Sequence, residues 1–389
     1  MGISLLFSIL FRKFLIHREL RNNKIIVLII IFIIINILSS LFSENPAKSL
    51  FQVINIISVF SIYFSVFNII ETKEEYLKFL NTILTAGFCA MFYGLLLFFL
   101  RKIGFNVTGV NDINNPAFFG IYASLFEPNI FGSYSANMLL IGIGVFMLFS
   151  YEERNKKMLL IFLIISLLAL LLSFTRAAWL GAFCGLLFIL FKRVKCKIFK
   201  IRYIGSFILF FILIYYLFLF KILPEELYGY KLANLFNFNV GTGLYRLNIF
   251  INAWHDFLLS PIIGNGTYSY SYLHAEETII FNGNIVNAWI PNLFLIVLND
   301  TGIIGFTILI IIIWEIFKQL KELIYNSTNH IFYYHAIGYK AAFIALLVAF
   351  QATTAFYLGF TWILIAIISL SFYFSKEVNA PKIINYYSE

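Results

Sequence analysis

The chain has 389 residues, of which 61% are hydrophobic and 12% charged, and its mean hydropathy is +0.90. Soluble domains carry roughly 25% charged residues, so water is not the main solvent of this chain and nothing in it reads as a soluble catalytic domain. The net charge of +9 raises the question of nucleic acid, but its placement fits membrane orientation, and no nucleic-acid partner is expected.

The first 24 residues form a cytoplasmic or interfacial segment in which 2–16 are apolar but too short to span comfortably, giving an interfacial helix or, alternatively, a re-entrant one. From Ile25 onward apolar runs recur, and about 20 such residues cross a bilayer core of roughly 30 Å. Ten spans are predicted, at 25–42, 49–70, 79–100, 130–150, 158–174, 177–191, 203–221, 292–314, 340–356 and 358–375. No small-residue cleavage site precedes the polar turn Ser43 to Pro46, so the first run is expected to be a retained helix. The fold class is therefore all-α and polytopic: spans 1–7 within 25–221, a large extracytoplasmic loop at 222–291, spans 8–10 within 292–375 and a cytoplasmic tail at 376–389. With the amino terminus inside, 21 of the 28 Lys and Arg fall in the cytoplasm, leaving Lys48, Arg101, Lys102, Arg176, Lys221, Lys231 and Arg246 outside. Cys89, Cys184 and Cys196 show neither paired spacing nor neighbouring histidines and are expected to be packing residues.

Two outer segments interrupt the short loops. Residues 101–129 are rich in Asn, Gly and Pro and end in Phe126-Glu127-Pro128-Asn129. Residues 222–291 are too long and too patterned for a connector and hold thirteen aromatics, which suit sugar stacking or interfacial anchoring alike. Within them Leu244 to Leu259 reads as an amphipathic helix, with Leu247, Phe250, Ile251, Trp254 and Leu258 on an apolar arc and Asn248, Asn252, His255 and Asp256 on a polar one. Arg246 falls at the edge of the apolar arc, where a guanidinium either snorkels to lipid phosphate, the plainer expectation, or pairs with a bound anion. Arg176 sits in a short outer turn, Ser173-Phe174-Thr175-Arg176-Ala177, where it works against orientation and contacts either headgroups or a ligand.

Three stretches together resemble the O-antigen ligase and polymerase superfamily. Ser173-Phe174-Thr175-Arg176-Ala177-Ala178-Trp179-Leu180 is similar to its S-R-G/A turn. Tyr245-Arg246, Ala253-Trp254 and Ser260-Pro261-Ile262-Ile263-Gly264-Asn265-Gly266 resemble its R, W and P-L-x-G-x-G segment. Pro291-Asn292 followed by Gly302-Ile303-Ile304-Gly305 resembles its H-N and G-x-x-G pair, with proline where ligases carry histidine. The resemblance implies a GT-C-like, metal-independent, inverting glycosyltransferase of the outer face of the cell membrane that needs no cofactor and acts on glycans carried by polyprenyl diphosphate. It further implies a flippase and a chain-length regulator as partners, alongside membrane lipid.

In that reading Arg176 and Arg246 grip the diphosphate leaving group, a task suited to permanently charged bidentate donors. Pro291 in the histidine position turns the expectation from ligase toward polymerase, with ligase as the alternative. Candidates for the catalytic base are Glu127, whose other role is to cap the following helix, and His274, with Glu276 as a possible orienting carboxylate. Asn292 and Asp300 are further candidates, Asp300 either orienting Asn292 or satisfying a buried amide. The rival class, a transporter or flippase, would show inverted repeats and charge at mid-span, and neither stands out.

Overall fold

The computed structural model describes residues 20–111, 120–148, 154–193, 242–281 and 284–379. Helix boundaries follow local capping chemistry. Asn23, Asn45 and Thr72 accept backbone N–H groups at the starts of α1 (Lys24–Leu41), α2 (Pro46–Ile69) and α3 (Lys73–Lys102), and Thr72 and Glu75 form a reciprocal capping box. Next come α4 (Pro128–Phe146), α5 (Arg154–Leu172) and α6 (Arg176–Arg193), the amphipathic helix α7 (Thr242–Leu259), then α8 (Leu293–Asn326), α9 (His330–Ala349) and α10 (Gly359–Asn379). Among the described residues, seven helices, α1 to α4 and α8 to α10, are long and apolar enough to cross a membrane. The predicted interfacial helix at 2–16 and the span at 203–221 lie outside the described residues.

The helical assignment holds for the bundle, and two helix boundaries differ from expectation. The span expected at 292–314 continues to Asn326, and that expected at 340–356 runs instead from His330 to Ala349. Hydropathy misplaced the latter because His335 and Tyr339 are polar, yet both bond the Tyr76 hydroxyl, at 3.0 and 2.6 Å, inside the bundle. Thr278–Phe281 and Asn284–Asn287 form an antiparallel hairpin, β1 and β2, between α7 and α8, so among the described residues the fold is helical with one small sheet.

The core is built around α9, which packs on α4 and α6, while α8 packs on α1 and α10 on α2. Gly144 and Gly338 let α4 and α9 touch backbone to backbone, since a Cβ on Gly144 would stand 2.7 Å from the Gly338 Cα. Away from this core apolar side chains such as Ile30, Ile34 and Leu38 are exposed, which is favourable against lipid and costly in water. Buried polar groups are joined in networks. One is a closed ring in which Asn23 donates to Tyr63 (3.2 Å), Tyr63 to Ser369 (3.0 Å), Ser369 to Gln319 (3.0 Å) and Gln319 back to Asn23 (3.2 Å), tying α1, α2, α10 and α8. At the same end Arg21 donates to the carbonyls of Ile70 (2.6 Å) and Glu71 (3.0 Å) and lies over the Tyr373 ring, so it closes the carboxyl end of α2.

Candidate functional site

The turn before α6 is fixed by its own polar side chains. Ser173 Oγ donates to the Leu170 carbonyl at 2.7 Å, Trp179 Nε1 donates to the same carbonyl at 2.8 Å, and Phe174 takes a left-handed φ of 54°. Thr175 Oγ1 then donates to the Pro128 carbonyl at 2.9 Å, which binds the amino end of α6 to the amino end of α4. Arg176 opens α6 and Glu127 immediately precedes α4, so both belong to this joint.

Glu127 occupies the cap position of α4 in extended geometry, yet its side chain makes no capping hydrogen bond. It faces Arg246 instead. Burial raises the Glu127 carboxyl above its ordinary range, while the Arg246 charge and a hydrogen bond with the Asn129 side chain oppose the rise. On the Arg246 side, burial lowers the proton affinity of the guanidinium, Glu127 raises it and Arg176 lowers it. Glu127, Arg176 and Arg246, drawn from three distant parts of the sequence, therefore share one electrostatic neighbourhood, each partly buried. Two guanidiniums against one carboxylate leave a net positive site at the amino ends of two helices, where the exposed N–H groups add to the positive potential.

Arg246 reaches this place because of how α7 docks. Ile249 and Ala253, buried to 1% and 0% exposure, face inward with Arg246 beside them on the same side of the helix. The arc of Leu247, Ile251, Trp254 and Leu258 points outward and is exposed, continuous with Leu259 and Ile262. Arg246 is thus on the packed face of α7, where its charge is set against Glu127. His255 is exposed.

Two of the resembling stretches interlock to hold α7 against α8. At Gly302 (φ 60°, ψ −163°) α8 departs from helical geometry, which frees backbone groups on either side. The loop after α7 satisfies them: Asn265 and Gly266 N–H donate to the Asn299 and Asp300 carbonyls at 2.9 and 3.0 Å, and Ile303 N–H donates to the Pro261 carbonyl at 2.9 Å. A Cβ on Gly302 would strike the Ile262 carbonyl and one on Gly264 the Asp300 backbone, so both glycines are required by close approach as well as by positive φ.

Asp300 belongs to this joint. Its carboxylate accepts the Tyr268 N–H at 2.8 Å and the Asn299 side chain at 3.2 Å, and its carbonyl accepts Ser39 Oγ. Of its two expected roles, it satisfies buried amides and makes no bond to Asn292. Burial and the Asp300 charge together push the Tyr268 hydroxyl upward. Asn292 caps α8, accepting from Phe294 and Leu295 N–H at 3.0 Å each, and its amide donates to Gln351 Oε1 at 3.1 Å.

His274 stands in a second cluster on the polar side of α7. Its Nε2 is 2.9 Å from Asp256 Oδ2, its ring stacks on Tyr270 at 4.5 Å, and Nδ1 lies 3.8 Å from both Glu276 and Glu277. Asp256, not Glu276, is its closest carboxylate. Glu277 accepts from Asn252 (2.7 Å) and Tyr270 (2.8 Å), so the cluster ties the hairpin region to α7, beside a cleft of about 450 Å³. Burial and the bond to Glu277 hold the Tyr270 hydroxyl protonated well above its usual range. Asn252 and Asp256, which the sequence sets on one polar arc, join this cluster, and their spacing of four residues is the signal that points to it. Gln351 left no such signal, being 59 residues from Asn292.

A polytopic helical protein with two arginines gathered where helix α7 meets the bundle is the class these observations define. Residues 161–310 match the family model described as O-Antigen ligase, which supports placing this chain with the O-antigen ligase and polymerase superfamily. The match spans Arg176, Arg246, His274, Asn292 and Asp300, and Glu127 precedes it. No curated protein matches the chain. An O-antigen ligase or polymerase type of function, on lipid-linked oligosaccharide in the membrane, has the support of that match.

Proposed function

We propose that the chain polymerises oligosaccharide repeats carried on polyprenyl diphosphate, at the outer face of the cell membrane. The observation that carries this reading is the convergence of Arg176, Arg246 and Glu127 at the amino ends of α4 and α6. A hydroxyl of one lipid-linked repeat attacks the anomeric carbon of the growing chain. The new glycosidic C–O bond forms as the bond to the diphosphate breaks, the hydroxyl proton passes to the Glu127 carboxylate, and the electron pair leaves on polyprenyl diphosphate. Arg176 and Arg246 stabilise the charge that develops on this leaving group, with bidentate donors whose charge does not titrate in the working range. The raised proton affinity of Glu127 suits a base, because a carboxylate at its ordinary value accepts a proton from a hydroxyl poorly.

Pro291 in place of the family's histidine, with Asn292 engaged as a helix cap, favours polymerase over ligase. The exposed apolar arc of α7 supports a helix lying at the membrane surface, where the carrier lipid presents its diphosphate. The test is reconstitution of the full chain in vesicles with a lipid-linked repeat. Product that lengthens while remaining on polyprenyl diphosphate supports the proposal. Transfer of the glycan to a different acceptor, without lengthening, would replace it with the ligase reading.

A further inference from the structure

The opposite end of the bundle holds a second gathering of cations that the proposed reaction does not use. Lys192 lies 16 residues beyond Arg176 on α6, about 24 Å away at 1.5 Å per residue. Its ammonium donates to the Tyr325 hydroxyl of α8 at 3.0 Å and lies over the Tyr325 ring at 4.4 Å. Lys340, on the intervening α9, is partly buried with its ammonium over Phe188 and Phe317, 5.3 and 5.7 Å from the ring centres. Lys192 and Lys321 both act electrostatically on Lys340, and all three lysines act on Tyr325.

Three ammonium groups from three helices thus converge with no carboxylate partner among the described residues. Of the neighbouring acids on α8, Glu322 pairs with Lys376 at 3.9 Å, and Glu315 makes no ion pair with the three lysines. Like charges drawn together at a membrane face repel unless an anion is shared between them. The adjoining surface is apolar: Trp314 is 71% exposed and Ile310 and Ile311 lie exposed toward mid-helix, with Trp314, Lys318, Lys321 and Tyr325 on one side of α8 at steps of four, three and four.

We propose that Lys192, Lys321, Lys340 and Tyr325 form a binding site for the phosphate of an anionic membrane lipid, whose acyl chains lie along the exposed apolar side of α8. Phosphate supplies the missing counter-charge, and the rings of Phe188, Phe317 and Tyr325 hold the ammonium groups in place.

The experiment titrates the full-length protein in neutral detergent with phosphatidylglycerol, phosphatidylcholine or glycerol 3-phosphate and counts bound lipid by native mass spectrometry. Saturable binding of phosphatidylglycerol alone is expected, weakened about tenfold by Lys192→Gln or Lys340→Gln. Lys340→Arg should retain it, as should Lys73→Gln, which removes a charge lying over Phe332 outside the cluster. Undiminished binding in Lys340→Gln overturns the site, and so does loss in Lys340→Arg. An equal loss in Lys73→Gln makes the attraction diffuse, and glycerol 3-phosphate binding as tightly as the lipid makes the ligand a soluble phosphate; either result sinks the proposal.

Discussion

Replacing Arg246 by alanine removes one of the two proposed diphosphate donors and, with it, a charge that holds the Glu127 carboxyl down. Helix α7 docks through Ile249, Ala253 and the loop from Pro261 to Gly266, and none of these contacts uses the guanidinium, so the variant should fold and reach the membrane. Removing one of two donors aimed at a developing anion costs about 2.7–4 kcal/mol, or about 10²- to 10³-fold in rate. Lysine at this position restores the charge and not the planar fork, and should recover the rate to within about 10- to 30-fold of the parent. Because Arg176 shares the neighbourhood, adding Arg176→Ala should cost less than the product of the two single losses. The assay is the single-turnover rate of elongation of a lipid-linked repeat in proteoliposomes, with product length read on a gel. An Arg246→Ala protein that elongates within about twofold of the parent would falsify the diphosphate assignment.

Further perturbations follow from the same geometry. Glu127 acts as a base only when ionised, and its carboxyl is raised above the ordinary 4.5, so elongation should increase with pH across a window lying above that value. Glu127→Gln should erase this limb and lower the rate about 10²- to 10⁴-fold, and an unchanged pH profile in that variant removes Glu127 from the role. Gly302→Ala places a Cβ against the Ile262 carbonyl at a φ of 60°, so it should destabilise the protein by about 1–3 kcal/mol, seen as a lower melting temperature in detergent. Unaltered melting would show that the kink tolerates a side chain. For orientation, Glu276→Cys, exposed on the outer loop, should label with a membrane-impermeant maleimide in intact cells once the three native cysteines are serine. Labelling only after the membrane is opened would invert the topology.

Much of the bundle was legible because lipid imposes a simple rule: apolar runs long enough to span become helices. The predicted starts of the first six spans lie within about six residues of the observed helices, and hydropathy supplied them directly. It failed at α9, where His335 and Tyr339 look too polar for a span until Tyr76, far earlier in the chain, is seen to bond them. The site was legible in its residue types and obscure in its arrangement. A helical wheel placed Arg246 at the margin of an apolar arc, which reads as the packed face in water but is the outward face here, and the packed side is the narrower strip of Ile249 and Ala253. The glycine motifs were visible as motifs, yet their meeting across the kink at Gly302 depends on backbone geometry that no periodicity encodes.

The bond from Thr175 to the Pro128 carbonyl has a consequence for how the anion site can move. It makes Arg176 and Glu127 parts of one rigid jaw, set by the bundle. Arg246 is mounted on α7, which is held to α8 by the backbone bonds between the Pro261–Gly266 loop and the Asn299–Ile303 segment. The spacing of the two arginines is therefore set by how α7 seats on α8, whereas Glu127 and Arg176 keep their register through the bundle alone, so substitutions in the Gly264 and Gly302 joint act on Arg246 first.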